Sequence, residues 1–478
     1  MWHARRTTRG VTRTIAVLLC AVWAVSTART EAPAAERLFS SYAPLSVTLE
    51  APFDDLLNQR RQDATYSVTG TLSYADPLVG QVHLSNVEVS VRGKTSFKAG
   101  QCEFPKLKLK FRAAKGRPRG SLFDGMASVK IGTHCGEGPD DVLSERWGRL
   151  QNENSPIREA FVYRLLEALR VPALKARPVQ IRYVDVKTVT TAGAAARPAA
   201  RPTTLVRHAM FLEDDRQAES RFGAQGQYTE DTFGSADTRF APADSARLAF
   251  AEALIANFDW CVRFFPTDTY RCDGRHPLWN VLALKRPDGS AVPVPYDFDL
   301  AGMVTGHHRW FTIVFNPAFA PGASEAAVKV LAQLQRTRTL FTRAQLDATR
   351  AEFMRHKEEA YAVLAEAQLD DAGRRNAAAH LDAFYAVIES DERFYLPVVV
   401  ADKTRMYLDA RGKRRACADA VVPRGTPVSA PVEIRDSMQA VLILDALWQW
   451  APPADECEAI LSRAVWLPTS SISSHYPN

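Results

Sequence analysis

Apolar and polar residues alternate along the front of this chain, in Val87-Glu88-Val89-Ser90-Val91-Arg92 and again in Lys106-Leu107-Lys108-Leu109-Lys110-Phe111. Period-two alternation predicts half-buried strands. In the second run it puts Leu107, Leu109 and Phe111 on one face and three lysines on the other. A third strand is expected over 127–131, so residues 46–131 read as mainly β. The period then changes. Ser155-Pro156 offers a hydroxyl acceptor followed by proline at a first helical position, and Ile157, Phe161, Leu165 and Leu169 recur every fourth residue. This predicts a helix with one buried face and with Arg158 and Glu159 displayed near its start. Strands are expected over 179–186 and 204–212, separated by a flexible insertion rich in Ala, Arg and Pro at 192–202.

Helical spacing returns near Ala243, where Leu248, Ala251, Ile255 and Phe258 lead into Asn257-Phe258-Asp259-Trp260, and again over 324–336, 343–367 and 373–392. Between these lies a hairpin, 278–299. Asn280 opens its first strand, Pro287-Asp288-Gly289 makes the turn, and Asp297-Phe298-Asp299 closes the second. Two strands joined by a tight turn run antiparallel, so Asn280 and Asp297 are expected at the same end. A carboxylate and an amide oxygen converging there suit a hard divalent cation. A magnesium ion held by few protein oxygens usually carries nucleotide phosphates on its free positions. The order, a β-rich front half with one helix and then a mainly helical rear half, predicts an α+β, bilobal, kinase-like layout. From about Tyr395 short apolar runs are broken by Gly412, Gly425 and Pro427 and end near Trp466-Leu467-Pro468. Short strands with glycine turns predict a small β-barrel over 396–478, and the late Trp-Leu-Pro resembles bacterial Src-homology-3-like modules.

With 478 residues, 46% hydrophobic and 24% charged, the chain has the composition of a globular protein of two or three domains. Arg5, Arg6, Arg9 and Arg13 precede an apolar stretch at 15–25, followed by the small residues Ser26 and Ala28. This reads as an export signal over 1–28, with a periplasmic or extracellular mature chain. The stretch is too short to span a bilayer, and no membrane span is expected in the mature chain. Four arginines and no acid lie in 1–28, so removing it lowers the formal charge from +6 to +2. The remaining balance gives no reason to expect nucleic acid as a partner.

Cys102, Cys135, Cys261, Cys272, Cys417 and Cys457 follow the signal. An even number in an exported chain favours disulfides, and their distribution suggests the local pairs Cys102 with Cys135, Cys261 with Cys272, and Cys417 with Cys457. The spacing suits no zinc site, and His134, His307 and His308 read as surface-loop residues.

Several of these segments together carry a resemblance. Arg92-Gly93, Cys102-Glu103-Phe104-Pro105-Lys106-Leu107-Lys108-Leu109-Lys110-Phe111, Asn257-Phe258-Asp259-Trp260, Asn280-Val281 and Pro295-Tyr296-Asp297-Phe298-Asp299 resemble the spore-coat protein H family, the CotH-like atypical kinases. The resemblance covers roughly 45–395, divided into an N-lobe at about 45–215 and a C-lobe at about 216–395. It implies an exported kinase that transfers the γ-phosphoryl of ATP, with Mg or Mn, to a protein acceptor. On this basis Lys108, with Arg92, meets the nucleotide phosphates from the front sheet, Lys106 and Lys110 being the alternatives on the same face. Glu159 is its ion-pair partner, Asp259 orients or deprotonates the acceptor hydroxyl, and Asn280, Asp297 and Asp299 hold the metal.

Two departures from ordinary protein kinases stand out. Asp259 and Asn280 are 21 positions apart, and no glycine-rich phosphate loop reads GxGxxG between Ser46 and Val91. CotH-like proteins also lack that loop. The alternatives are an inactive kinase-like scaffold that works through its C-terminal barrel on a protein or cell-envelope partner, and metal-dependent hydrolysis at the same carboxylates.

Overall fold

The computed structural model describes residues 34–473 apart from 61–62, 94–103, 134–152, 187–203, 235–239, 264–277, 307–313, 316–323, 417–420, 423, 425, 430, 444 and 447–462. The expected signal over 1–28, the insertion at 192–202, His134, His307, His308 and every cysteine except Cys261 lie outside the described residues. No described helix is long and apolar enough to cross a membrane.

The fold is mixed α+β. After a short helix α1 (Ala34–Phe39), strand β1 (Leu45–Ala51) and helix α2 (Phe53–Gln59) lead into β2 (Ser67–Asp76), β3 (Gly80–Val91), β4 (Leu107–Lys110), β5 (Ser128–Gly132), β6 (Ala176–Asp185) and β7 (Thr204–Leu212). These seven strands form one closed sheet, ordered β1-β2-β3-β4-β5-β7-β6. Closure comes from β1 lying parallel to β6, with Val47 opposite Ile181, while the other neighbours are antiparallel. The alternation read from sequence is what fills this barrel: Val89, Leu109, Phe111, Ile181 and Phe211 meet inside it with almost no exposure. Each large side chain so buried contributes on the order of 1.5–3 kcal/mol. Lys108 and Lys110 leave β4 on the opposite face, in line with Lys106 just before the strand.

Helix α3 (Ser155–Ala168) lies between β5 and β6 in the chain. Asn154 occupies its N-cap position without a side-chain capping bond to the helix, and Ser155 is already helical, so the hydroxyl cap expected from Ser155-Pro156 does not form. Nor does α3 display Arg158 and Glu159: both are buried, because the helix packs into the rear of the molecule as well as on the sheet.

The rear half contains α4 (Asp215–Arg221), β8 (Gln227–Tyr228), α5 (Glu230–Gly234), α6 (Pro242–Leu254), β9 (Cys261–Val262), β10 (Leu278–Trp279), β11 (Val281–Lys285), β12 (Ala291–Pro295), α7 (Gly302–Thr305) and β13 (Val314–Phe315). Helices α8 (Glu325–Thr337), α9 (Arg343–Arg355), α10 (Lys357–Glu366), α11 (Asp371–Ile388) and α12 (Asp391–Phe394) follow. The single helix expected over 343–367 is two, divided at His356. Phe250, Phe353, Phe384 and Phe394 pack at the centre of this half.

The last region has a separate small core of Val399, Met406, Val422, Val428, Val441, Ile443, Val465 and Leu467. Its strands are β14 (Val398–Val399), β15 (Thr404–Arg405), β16 (Val421–Val422), β17 (Glu433–Arg435), β18 (Met438–Val441), β19 (Asp445–Ala446), β20 (Val465–Pro468) and β21 (Ile472–Ser473). Among the described residues they pair as β14–β21, β15–β16 and β17–β18–β20, while β19 pairs with β13 of the rear half.

Candidate functional site

Strand β4 lies between β3 and β5, with Leu107 opposite both Val91 and Ile131. The residue before it, Lys106, accepts the Arg92 backbone N–H on its carbonyl at 2.8 Å, and its side chain crosses to the rear half. There it forms an ion pair with Asp297 and lies 3.2 Å from Asp299 Oδ2, only 8% exposed. Burial works against the ammonium, but Asp297 and then Asp299 outweigh it and its pKa is raised. Lys108, the lysine expected at this place, instead pairs with Asp214 at 2.5 Å, and Lys110 pairs with Glu88 at 2.7 Å. Lys130 stands directly opposite Lys108 on β5 and pairs with Asp215. Each basic side chain of this row therefore meets an acid, and for Lys106, Lys108 and Lys130 the acid comes from beyond the barrel.

Helix α3 fixes the turn that carries Asp297. Glu159 Oε1 accepts the Phe298 N–H at 3.2 Å, and one helical turn on, Tyr163 Oη accepts the Asp297 N–H at 3.1 Å. Burial raises the Glu159 carboxyl well above the usual carboxylate range, while Lys106 pulls it the other way. The expected lysine partnership of Glu159 is thus electrostatic and directed at Lys106; its hydrogen bond goes to the backbone between the two aspartates. Arg92 adds its charge to Lys106, Lys130 and Glu159. Among the described residues Arg92 forms no ion pair, and its buried Nε has no hydrogen-bond partner.

The hairpin has the antiparallel register its sequence predicts. Asn280, however, breaks the first strand instead of opening it, and the second ends at Pro295, with Phe298–Leu300 forming a 3-10 turn where the strand is expected to close. Val281 lies opposite Pro295 and Lys285 opposite Ala291, and Gly289 supplies the left-handed backbone of the turn at φ 84°. At its open end the Tyr296 N–H donates to the Asn280 carbonyl at 3.0 Å, which places Asn280 within one register position of Asp297. Both residues have left-handed backbones, φ 54° at Asn280 and 66° at Asp297. Asn and Asp are the side-chain-bearing residues that best tolerate this region, and paired strain of this kind gathers where a site needs side chains aimed against the run of the strand.

Asp259 reaches the same end. Its N–H donates to Asn257 Oδ1 at 3.0 Å, Trp279 Nε1 donates to its Oδ1 at 3.2 Å, and Asn280 Nδ2 donates to its Oδ2 at 3.1 Å and to its carbonyl at 2.6 Å. Strand β9 pairs with β10, Trp279 opposite Cys261, so the chain leaves after Val262 and is back beside its own start by Leu278. That pairing explains how Asp259 and Asn280, 21 positions apart, are still in contact. Cys261, at the neck of this excursion, is disulfide-bonded. The Gly302 and Met303 N–H groups donate to the Ala256 and Ile255 carbonyls, both at 3.0 Å, tying the segment after Asp299 to the residues just before Asp259.

Among the described residues no three His, Cys, Asp or Glu side chains are placed to hold a metal ion. The ligands this end of the hairpin offers a hard cation are the carboxylates of Asp297 and Asp299 and the amide oxygen of Asn280, whose nitrogen is committed to Asp259. That all-oxygen set fits magnesium or manganese better than zinc. Of the residues expected from sequence, Asn280, Asp259, Asp297, Asp299, Glu159 and Arg92 gather here, and Lys108 sits one row away. Lys106, Tyr163, Trp279 and Asn257 complete the constellation; for Tyr163 and Trp279 nothing in the local sequence pattern marks a role.

No family model matches the chain, and no curated protein does. Among solved structures it is similar to a Helicobacter pylori proinflammatory kinase, CtkA, over 59% of this chain and 91% of that one, at 7% identity and a TM-score of 0.29. A likeness that loose carries no argument about fold or activity, and the chemistry of the site rests on its own side chains.

Proposed function

We propose that this chain is an exported atypical kinase of the CotH-like class, transferring the γ-phosphoryl of ATP to a protein acceptor with Mg or Mn. The observation that carries this reading is Lys106 reaching from the barrel to Asp297 and Asp299 on the rear half, beside an Asp259–Asn280 pair. Phosphoryl transfer asks a protein for positive charge on the phosphate oxygens, a held cation and an oriented hydroxyl, and little covalent chemistry besides. Lys106 and Arg92 supply the first. Asn280, Asp297 and Asp299 would hold the metal, which when bound neutralises charge on the transferring phosphoryl group. Asp259, aimed by Trp279 and Asn280, accepts the proton of the acceptor hydroxyl as its oxygen bonds to the γ-phosphorus and the bond to the β–γ bridging oxygen breaks, releasing ADP. Glu159 and Tyr163 act on the Asp297-Phe298 backbone and keep the two aspartates in place.

In this reading the barrel and the rear helices are the two lobes of a kinase-like domain at about 45–395. Residues 396–478 form a small Src-homology-3-like module that docks the enzyme on an envelope or secreted protein. The test is incubation of purified protein with labelled ATP and Mg or Mn. Label transfer that disappears in Asp297→Ala supports the kinase; nucleotide binding without transfer in the wild type favours an inactive scaffold acting through the C-terminal module.

A further inference from the structure

Lys106 is the cation that Asp297 and Asp299 hold in this structure, at the position where the proposed kinase reading requires a metal. Its side chain is 8% exposed, whereas those of Asp297 and Asp299 are 34% and 19% exposed. The two acids therefore have an open side, and the ammonium between them has almost none. A divalent cation arriving alone meets carboxylates already neutralised and a like charge in contact with them. A triphosphate arriving alone finds Lys106 occupied, as Lys108 and Lys130 are by Asp214 and Asp215. Arriving together, the two ligands exchange partners with the pair: the metal takes the carboxylates and the phosphate oxygens take the ammonium. No buried charge is left unpaired, which is the condition for separating such a pair at modest cost.

We infer that Lys106 is a built-in competitor for the metal, so that divalent cation and nucleotide bind this site as a linked pair and each only weakly alone. The inference rests on the kinase reading for the identity of the nucleotide; the competition between ammonium and metal does not. Because linkage is reciprocal, nucleotide must raise metal affinity by the same factor by which metal raises nucleotide affinity, within the usual range of roughly 5- to 150-fold.

Isothermal titration and the electron paramagnetic resonance signal of free manganese measure this directly, on the full chain, with Mn alone, a non-hydrolysable ATP analogue alone, and both. Wild type is expected to show the coupling. Lys106→Met is expected to bind Mn alone about tenfold more tightly than wild type and to lose most of the coupling, and Lys106→Arg, which restores a cation, to bind Mn weakly again. Lys110→Met, a neighbour on the same face that pairs with Glu88, is the control and is expected to match wild type. Equal Mn affinity in wild type and Lys106→Met overturns the inference, as does wild-type coupling no greater than the separately measured association of Mn with the nucleotide in solution accounts for; this second arm decides the matter even if Lys106→Met fails to fold. If no nucleotide binds at any Mn concentration while Lys106→Met still tightens Mn, the competition stands and the kinase reading falls.

Discussion

Lys106 and Asp297, 191 positions apart in the chain, form an ion pair that joins the front barrel to the rear half at the centre of the candidate site. Lys108, two residues along the same strand face, pairs with Asp214 and stands away from both hairpin aspartates. A phosphate brought to Asp297 and Asp299 by a divalent cation that they would hold would therefore meet the first lysine and not the second. Lys106→Met is expected to lower phosphoryl transfer by at least about 10²-fold, the scale of losing one preorganised charge on a transition state. Lys108→Met is expected to lower it less than about tenfold. Labelled-ATP transfer by the two purified variants separates them, and the reverse order would return the nucleotide to Lys108.

The left-handed backbone at Asp297 lets charge and conformation be removed one at a time. Asp297→Asn keeps a residue type at home at positive φ and deletes the carboxylate charge. It is expected to abolish transfer while thermal unfolding stays within a few degrees of wild type. Asp297→Val adds a β-branched side chain where φ is 66° and is expected to destabilise by a further 1–2 kcal/mol or so. Melting curves of both variants check this; a valine variant as stable as the asparagine one would mean the strain at this position is not real.

What the sequence could and could not disclose about this site follows from the range of each interaction. The convergence of Asn280 and Asp297 was readable because a short turn fixes a hairpin's register, and the alternation in 87–92 and 106–111 was readable because a strand's period is local. Alternation cannot rank Lys106, Lys108 and Lys110, since all three share one face; the acids that distinguish them lie 22 to 191 positions away and on different elements. Arg158 and Glu159 looked like the exposed start of a helix for the same reason. Their partners, Asp370 and the Phe298 backbone, are 212 and 139 positions distant. The closed order of the seven strands depends on a parallel pairing of β1 with β6 that no local pattern announces.

The Arg158–Asp370 pair anchors α3, and with it Glu159 and Tyr163, to the first turn of α11. Arg158 donates to both Asp370 oxygens, at 2.9 and 2.7 Å, and to the Val304 carbonyl at 3.2 Å, with its own side chain 5% exposed. Burial pushes the Asp370 carboxyl up, but the Arg158 hydrogen bonds and charge hold it below its ordinary value. Asp370→Ala leaves a buried guanidinium without its counter-ion and is expected to cost about 3–5 kcal/mol. Gly373→Ala tests the packing of the same corner, since a Cβ there would stand 2.7 Å from Asp370 Oδ1 and 2.8 Å from Arg158 Nε. It is expected to destabilise by about 1–3 kcal/mol. Urea unfolding measures both, and a near-neutral Asp370→Ala would show that the anchor lies elsewhere.

His380 gives the rear half a dependence on pH. It is buried on α11, its Nδ1–H donates to the Asn376 carbonyl at 2.8 Å, and among the described residues its Nε2 has no hydrogen-bond partner. The Asn376 side chain in turn donates to the Gly302 and Met303 carbonyls at 2.8 and 2.9 Å, behind the Asp299 turn. Burial lowers the His380 pKa to about 4, with the charge of Lys329 adding to that and the Asn376 carbonyl and Glu325 opposing it. The unfolded chain titrates near the ordinary value of about 6.5. Between these two values the unfolded state holds a proton that the folded state lacks, so stability rises with pH across the window and is lost as pH falls through it. The loss between pH 7 and pH 5 is expected to be about 2 kcal/mol from this residue. Urea titrations at the two pH values, on wild type and His380→Gln, isolate the contribution: the variant's change in unfolding free energy on acidification is expected to be smaller by about that amount, whatever its absolute stability. Equal changes in the two proteins would mean that the folded chain accommodates a charged imidazole at this position.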